Sequence, residues 1–235
     1  MTLSVTGDAP LSDFTATLAL RTDGVDRLNG TVGIRDVDAP GLLTGTEREV
    51  TANLSGDVAV LFLPDYRDFF GQSTELHLKA LSGTERGLDI ETLELTTQGL
   101  RLKGTANLNA AFLPEAVDLT ASLGQPNGLP VVLPIPGPAV VVQKGAAAIQ
   151  FDAAKGDGFT LKLELDGVQR ADGVLIDRLA LNGDGVLSRS GPTEMSGIAA
   201  AITGGMTGFS STDAALWQAV GDDVTLTGRL NWRKA

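Results

Sequence analysis

The chain has 235 residues, with 29 glycines, 5% aromatic residues, no cysteine and a net charge of −11 at neutral pH. This length accommodates one large β domain or two smaller ones. Without cysteine there is no disulfide framework and no thiolate chemistry, so the redox compartment is left open. The negative charge argues against nucleic acid as a partner, because the phosphates would be repelled.

No stretch reaches the roughly 20 apolar residues that a membrane-spanning helix requires. The first residues, Met1 to Gly7, have neither the basic region nor the apolar region of a signal peptide. We therefore expect either a cytoplasmic protein or a piece of a longer exported chain. The strand-like sequence at both ends favours the second.

Apolar and polar residues alternate along almost the whole chain, which predicts antiparallel strands with one apolar and one solvated face. The alternation restarts after turn sequences such as Thr22-Asp23-Gly24. The alternating segments are Phe14 to Leu20, Leu28 to Ile34, Val50 to Val58, Leu76 to Ala80, Leu100 to Leu108, Val117 to Leu123, Ala147 to Phe151 and Phe159 to Leu165. We predict an all-β fold with more than about half of the residues in strands, against roughly 20–25% in an average domain.

One spacing pattern occurs twice. Leu88-x-Ile90-x-x-Leu93-x-Leu95 returns 86 residues later as Val174-x-Ile176-x-x-Leu179-x-Leu181, and residues 83–87 upstream correspond to residues 167–173. In both copies the alternation slips by one residue, so a bulge or short turn is needed to keep one face apolar. Such repetition predicts a stacked β architecture.

Two short stretches interrupt the β pattern and predict helices near residues 64–70 and 213–220. The stretch from Leu63 to Gly71 begins with Pro and Asp and ends with Gly. The stretch from Thr212 to Gly221 begins with Thr as the N-cap and also ends with Gly. Each helix either covers the end of the core or acts as a plug over a groove or sheet edge.

Five of the ten prolines fall between Gln125 and Pro138. Proline has no N–H to donate to a sheet, so this segment is not a central strand. It is either a linker or an extended strip along the sheet rim, and its aliphatic residues favour the rim. Those residues are Leu129, Val131, Val132, Leu133 and Ile135. The chain is thereby divided into a first β-groove segment (1–125), a Pro-rich rim or linker (126–138) and a second, continuous β-groove segment (139–235).

No motif for catalysis or metal binding stands out. The only histidine, His77, lies between two leucines and is predicted to face solvent, and the common metal-ligand sets need further His or Cys residues. Asn182-Gly183-Asp184-Gly185 is interpreted as a turn with positive φ rather than a calcium loop. The acidic pairs Asp36/Asp38 and Asp222/Asp223 are expected in an acidic protein. We predict no enzymatic activity, no metal and no cofactor, although a hydrolase using carboxylates alone stays open.

The apolar face itself is the remaining candidate site. Its aliphatic and small residues suit either a closed sandwich or an open trough for acyl chains, and periodicity does not separate the two. The residues predicted to form an inward hydrophobic groove are Leu18, Leu54, Leu78, Leu93, Leu95, Leu102, Ile149, Leu163, Leu179 and Leu181.

Three segments, Gly7 to Ala16, Leu61 to Gly71 and Val224 to Trp232, resemble the repetitive β region of the TamB family. These are the translocation and assembly module proteins of the AsmA-like bridge superfamily, and the likeness extends over essentially the whole chain. The resemblance implies an elongated antiparallel β-groove, a β-taco or solenoid-like curved sheet, with an apolar interior and two short capping helices. It also implies that the family supplies no catalytic residues.

The resemblance further implies a periplasmic location, as part of an inner-membrane-anchored protein whose anchor is not in this chain. The implied role is outer-membrane protein assembly and phospholipid transport in the bacterial envelope. The implied partners are phospholipid or nascent outer-membrane protein strands, and a TamA-like outer-membrane barrel that meets parts outside this fragment. The alternative is a structural or adhesive β-solenoid of a surface protein with a closed core. A carbohydrate-active enzyme is disfavoured because Trp and Tyr are scarce.

Overall fold

A computed structural model describes residues 1–10, 12–37, 47–83 and 87–234. Leu11, Asp38 and residues 84–86, which enter the sequence analysis, lie outside the described residues. Strands make up 67% of the structure and helical turns 9%, and the described residues show no mixed α/β layering. The predicted all-β fold is confirmed.

The strands form one antiparallel sheet. They are β1 (Thr2–Thr6), β2 (Asp13–Thr22), β3 (Val25–Val37), β4 (Glu47–Gly56), β5 (Thr74–Gly83), β6 (Gly87–Thr96), β7 (Leu100–Leu108), β8 (Pro114–Leu123), β9 (Val131–Val132), β10 (Val140–Asp152), β11 (Gly158–Arg170), β12 (Val174–Gly191), β13 (Glu194–Thr207), β14 (Ser210–Ser211) and β15 (Val224–Arg233). The helices are α1 (Arg67–Phe70) and α2 (Ala214–Val220), and 3₁₀ turns lie at Ala59–Leu61, Pro64–Tyr66 and Ala153–Lys155.

The order of strands in the sheet follows the chain. The two-residue strands β9 and β14 pair with β10 and β12, so that β8 pairs directly with β10 and β13 with β15. In the part of the chain that the structure describes, β1 and β15 lie at opposite edges and do not pair with each other, so the sheet is open. The sheet therefore continues from the first predicted groove segment into the second.

Successive connections alternate between the two ends of the strands. The end here called the helical end contains the β2–β3 turn, both helices and the Pro-rich segment. The other, called the hairpin end, contains the β7–β8, β10–β11 and β12–β13 connections. The β2–β3 turn has Asp23 at φ 53° and Gly24 at φ 78°, values typical of a two-residue turn that matches the twist of the flanking strands.

Both predicted helices are present. Helix α1 directly follows the 3₁₀ turn at Pro64–Tyr66 and ends at Gly71, where φ is 66°. Helix α2 ends at Gly221, where φ is 77°. Because left-handed φ favours glycine, these residues stop the helices where the sequence predicts.

The N-cap predicted for α2 is wrong by one residue. The capping side chain is Asp213, not Thr212, since its carboxylate accepts the backbone N–H groups of Ala215 at 2.9 Å and Leu216 at 3.2 Å. An ionised carboxylate also interacts favourably with the positive end of the helix dipole. Helix α2 has no buried residue, whereas Phe69 of α1 is buried. Of the two helices, α1 is therefore the one that covers an end of the core.

The two largest fully buried side chains of the described residues, Val131 and Val142, lie at the helical end. Phe69 of α1 is 6% exposed, and Val131 of β9 and Val142 of β10 are fully buried. A Cβ at Gly99 would come within 2.8 Å of Val131 and 3.2 Å of the Phe69 ring, so glycine makes this contact possible. The Thr97 hydroxyl donates to the Phe69 carbonyl at 2.9 Å and fixes α1 on the β6–β7 turn.

The Pro-rich segment is extended along this end of the sheet, and only part of it packs. Val131 and Val132 pair with β10, and Tyr66 donates to the Ile135 carbonyl at 3.1 Å. The side chains of Leu129 and Ile135, however, are 57% and 43% exposed. The packing predicted for these two aliphatic residues is therefore absent, because the segment has turned away from the sheet beyond its short β9 ladder.

The two repeat copies handle the slip in alternation differently. In the first copy, β6 has one extra residue. Its register against β7 shifts between Ile90 and Leu93. Its register against β5 shifts at the same place, because the consecutive residues Lys79 and Ala80 pair with Thr92 and Ile90. This is a β-bulge, as predicted. In the second copy the register of β12 against β11 is unchanged. The ladder instead skips the pair formed by Gly167 and Asp177, with Gly167 at φ 63°.

Candidate functional site, a continuous apolar face

Register places apolar residues opposite one another across twelve strands. The central row runs Leu18, Gly30, Leu54, Leu76, Leu95, Leu102, Ala121, Ala147, Leu163, Leu181, Gly204, Leu226. Because residues directly opposite in antiparallel strands share a face, all twelve lie on one side of the sheet. At about 4.8 Å between strands, the row is about 53 Å long.

Further apolar rows flank the central one. The adjacent row runs Ala16, Val32, Ala52, Leu78, Leu93, Gly104, Leu119, Ile149, Leu161, Gly183, Ile202, Gly228, and the outer row runs Phe14, Ile34, Val50, Ala80, Ile90, Ala106, Val117, Phe151, Phe159, Gly185, Ala200, Leu230. Towards the helical end, a shorter row runs Leu100, Leu123, Gly145, Leu165, Leu179, Met206, Val224. No polar side chain interrupts any of these rows.

The structure brings all ten predicted groove residues together on this face. Six lie in the central row, three in the adjacent row and one, Leu179, in the shorter row. None of the ten is buried and none is fully exposed. In a closed sandwich such leucines are buried against a second sheet, whereas here the face remains partly open to solvent.

The face is concave between β7 and β13, where it forms an open cavity of about 420 Å³. The large side chains lining the cavity are Leu102, Leu119, Ile149, Leu161, Leu163, Leu181 and Ile202. This volume lies within the range of roughly 300–1,000 Å³ found for small-ligand sites. The sequence analysis did not identify Leu119, Leu161 and Ile202 as lining residues. Leu161 lies two residues before Leu163 on the same strand and therefore on the same face, and Ile149 pairs with both Leu161 and Leu119.

Glycines in these rows make room for large neighbours. The segment Asn182-Gly183-Asp184-Gly185 lies in the middle of β12, so the predicted positive-φ turn is wrong. A Cβ at Gly183 would lie 3.2 Å from Leu161, and one at Gly185 would lie 2.2 Å from the Phe159 ring. The absence of side chains at these two glycines therefore leaves room for the leucine and phenylalanine of the adjacent strand on the apolar face. The chain does not turn there.

At the hairpin end, the β12–β13 hairpin extends past its neighbours and bends over the apolar face. The Arg189 guanidinium lies 5.8 Å from the centre of the Phe151 ring and donates to the Pro114 carbonyl. Asn109 in the β7–β8 connection donates to the Pro192 carbonyl at 2.7 Å. Phe151 is consequently only 5% exposed, so this end of the face is covered while the central rows remain accessible.

The opposite face of the sheet is polar and has cross-strand ion pairs. Lys79 contacts Glu91 at 2.7 Å and Glu49 at 3.4 Å, and these two carboxylates, Glu91 foremost, raise the pKa of the Lys79 ammonium above its ordinary value. Lys103 pairs with Glu94 at 3.1 Å. Apart from Glu49, whose side chain is 16% exposed, these groups are well exposed, so they mainly keep this face solvated and contribute little to stability.

The remaining candidate residues that the structure describes do not converge on a site. His77 is exposed on the polar face, with Nδ1 2.9 Å from the Asn53 side-chain oxygen. Asp36 pairs with Arg48 at 3.2 Å. Among the described residues, no group of three or more His, Cys, Asp or Glu side chains is arranged to hold a metal ion. Over the same residues, no helix is both long and apolar enough to span a membrane.

Comparison with known proteins identifies no relative. No protein-family model matches the chain, and no curated protein and no solved structure matches it either.

Proposed function

We propose that the apolar face holds or conducts lipid acyl chains. The observation that carries this proposal is the set of unbroken apolar rows across twelve strands, with leucines that stay partly exposed. Large contiguous apolar surfaces are rare on soluble proteins and mark sites of interaction.

Acyl chains fit this face chemically. The cavity walls are mostly aliphatic, and the two polar residues in the lining, Thr120 and Lys162, alternate with Leu119, Ala121, Leu161 and Leu163 and so belong to the polar face of their strands. Each methylene transferred from water to such a site gains about 0.8 kcal/mol, so eight methylenes gain about 6 kcal/mol. This gain exceeds the lower estimates of the cost of association, which suits reversible holding of a lipid.

Within this proposal, the chain is a groove segment of a TamB-like, envelope-spanning protein in the periplasm. Its cargo is phospholipid, moved between the two membranes in outer-membrane biogenesis, and the groove works as a binding surface and not as an enzyme. Docking to a TamA-like barrel belongs to parts outside this chain. The sequence resemblance of three segments supports this assignment: Gly7 to Ala16, Leu61 to Gly71 and Val224 to Trp232.

Two alternatives are weaker. A structural β-solenoid needs a dry, closed core, whereas the ten groove residues are only partly buried and the sheet is open in the described residues. Nascent outer-membrane protein strands are the second cargo that the sequence resemblance implies, and no observation on the face favours them over acyl chains.

The experiment measures binding of a fluorescent phospholipid to the purified chain on native gels. Ile149→Asp places a charge on the cavity wall and is expected to reduce binding at least about tenfold, because a charged group in the acyl path must be desolvated. Ser122→Asp adds the same charge on the polar face of β8, opposite Arg101, and is expected to bind like the wild type. Wild-type protein without phospholipid binding, or equal binding by Ile149→Asp, would overturn the proposal.

A further inference from the structure

Arg189 brings a positive charge onto the apolar face beside the cavity. Side chains along a strand alternate between the two faces of the sheet, so Arg189 of β12 shares the face of Leu187 and Leu181. The contact of its guanidinium with the Phe151 ring, which lies on the same face, agrees with this placement. Phe151 is two residues from Ile149 in the cavity wall, so Arg189 lies over a residue that is about 7 Å from the cavity along β10.

The Arg189 guanidinium has hydrogen-bond donors left for a ligand. An arginine has five N–H groups in a planar fork, and here Nη2 donates to the Pro114 carbonyl. Among the described residues, Nε and Nη1 have no hydrogen-bond partner. The side chain is partly exposed, so a molecule bound on the apolar face can reach these two nitrogens.

The charge of Arg189 is not neutralised within the part of the chain that the structure describes. No carboxylate there forms an ion pair with it. Two carboxylates of the hairpin end have other partners, since Asp152 pairs with Lys155 at 2.8 Å and Glu194 pairs with Lys234. A cation without a countercharge therefore stands at the hairpin end of an aliphatic cavity.

We infer that Arg189 binds the anionic head group of a lipid whose acyl chain lies in the cavity. The guanidinium fork matches carboxylate and phosphate groups in both geometry and charge. From Phe151 the acyl chain runs along β10 past Ile149 towards Gly145, a path of about 20 Å on the apolar face. The inference rests on the proposed function, because it requires a cavity that holds acyl chains. It adds the orientation of the lipid and a preference for lipids with an anionic group.

Arg189 also holds the β12–β13 hairpin over Phe151, and the two roles have different consequences. If Arg189 only holds the hairpin, its replacement changes the cavity for every ligand, and neutral and anionic lipids lose affinity equally. If Arg189 binds a head group, the loss is confined to ligands with a negative charge. A pair of ligands with the same acyl chain, one charged and one neutral, therefore separates the roles.

The test compares a fluorescent fatty acid with its methyl ester on the purified chain, above neutral pH, where the carboxyl group is ionised. We expect the wild type to bind the acid about tenfold more tightly than the ester, as a charge-assisted hydrogen bond provides. Arg189→Gln should remove this preference and leave the affinity for the ester unchanged, and Arg189→Lys should retain part of the preference. The control Arg101→Gln, on the polar face of β7 opposite Ser122, should bind both ligands like the wild type.

A second ligand pair, lysophosphatidylglycerol and monoacylglycerol, repeats the comparison for a phosphate head group, with the same expected preference for the anionic member. Inorganic phosphate at the same concentration should not displace the fatty acid, because it lacks the acyl chain. Displacement by inorganic phosphate would overturn the inference, since the site would then bind free anions.

Equal affinities of the wild type for the acid and the ester would also overturn the inference, and so would an equal loss of both ligands in Arg189→Gln. These two outcomes leave the proposed function intact, because acyl chains still bind. A wild type that binds neither the acid nor the ester would overturn the proposed function and this inference with it.

Discussion

Replacing Leu163 by aspartate distinguishes an open apolar face from a dry core. Leu163 lies in the central row between Ala147 and Leu181 and is partly exposed. Full burial of a leucine is worth about 1.5–3 kcal/mol, so a partly buried one loses about 1 kcal/mol. The poor strand propensity of aspartate adds about 1 kcal/mol. We expect Leu163→Asp to lower the free energy of unfolding by about 2 kcal/mol.

A closed core predicts a larger loss in the free energy of unfolding for Leu163→Asp. There the carboxylate would be stranded without a partner, at a cost of several kcal/mol beyond the lost packing, which is comparable with the whole stability of many domains. The assay is urea unfolding followed by far-ultraviolet circular dichroism, with Ser122→Asp as the control for charge. A Leu163→Asp protein that is unfolded without urea, beside a folded control, would refute the open face.

Three further substitutions, one of them with a matched control, test other parts of the fold. His77→Ala should change the free energy of unfolding by no more than about 0.5 kcal/mol in urea titration, as expected for an exposed residue, and a larger loss would assign His77 a structural role. Phe69→Ala should cost about 3–5 kcal/mol by the same titration because it empties the buried cluster at the helical end; a cost below about 1 kcal/mol would mean that α1 is not docked. Gly104→Ala should lower the thermal midpoint of unfolding strongly, since its Cβ would lie 2.0 Å from the Asp118 carbonyl oxygen. In the control Gly191→Ala the new Cβ meets nothing within 4 Å, so the midpoint should be unchanged. Similar midpoints for the two variants would contradict the close approach of the strands at Gly104.

Much of the sheet follows from local pattern. Alternation assigns each strand one apolar face, and an Asp-Gly turn such as residues 23–24 restarts it at a two-residue hairpin. Because side chains on a strand alternate with a period of two, the face of Leu18 or Leu163 is fixed once its strand is recognised. This is why all ten groove residues could be assigned to one face from the sequence.

Strands without alternation were not predictable in this way. Strand β13 contains Ala199, Ala200 and Ala201 followed by Gly204 and Gly205, and small residues give no contrast between its two faces. The same absence of contrast concealed Ile202 as a lining residue of the cavity. Its position depends on register with β12 and β15, which is a property of the assembled sheet.

Long-range contacts also could not be predicted from the sequence. The position of Arg189 over Phe151 and the bond from Asn109 to Pro192 join segments that are far apart along the chain. Glycines such as Gly183 resemble turn residues in a single sequence, although their function here is to admit the side chain of Leu161. Periodicity alone also leaves open whether an apolar face is closed by a second sheet, since both arrangements require the same alternation.

Photocrosslinking to lipid tests the central claim most directly. A photoactivatable amino acid is placed at Leu18, Leu102 or Leu181 on the apolar face, or at Ser122 on the polar face as the control, and the protein is irradiated with phospholipid vesicles. If the apolar rows hold acyl chains along their length, mass spectrometry should find phospholipid attached at all three inward positions and not at Ser122. Absence of lipid from every inward position, or equal labelling at Ser122, would contradict the claim.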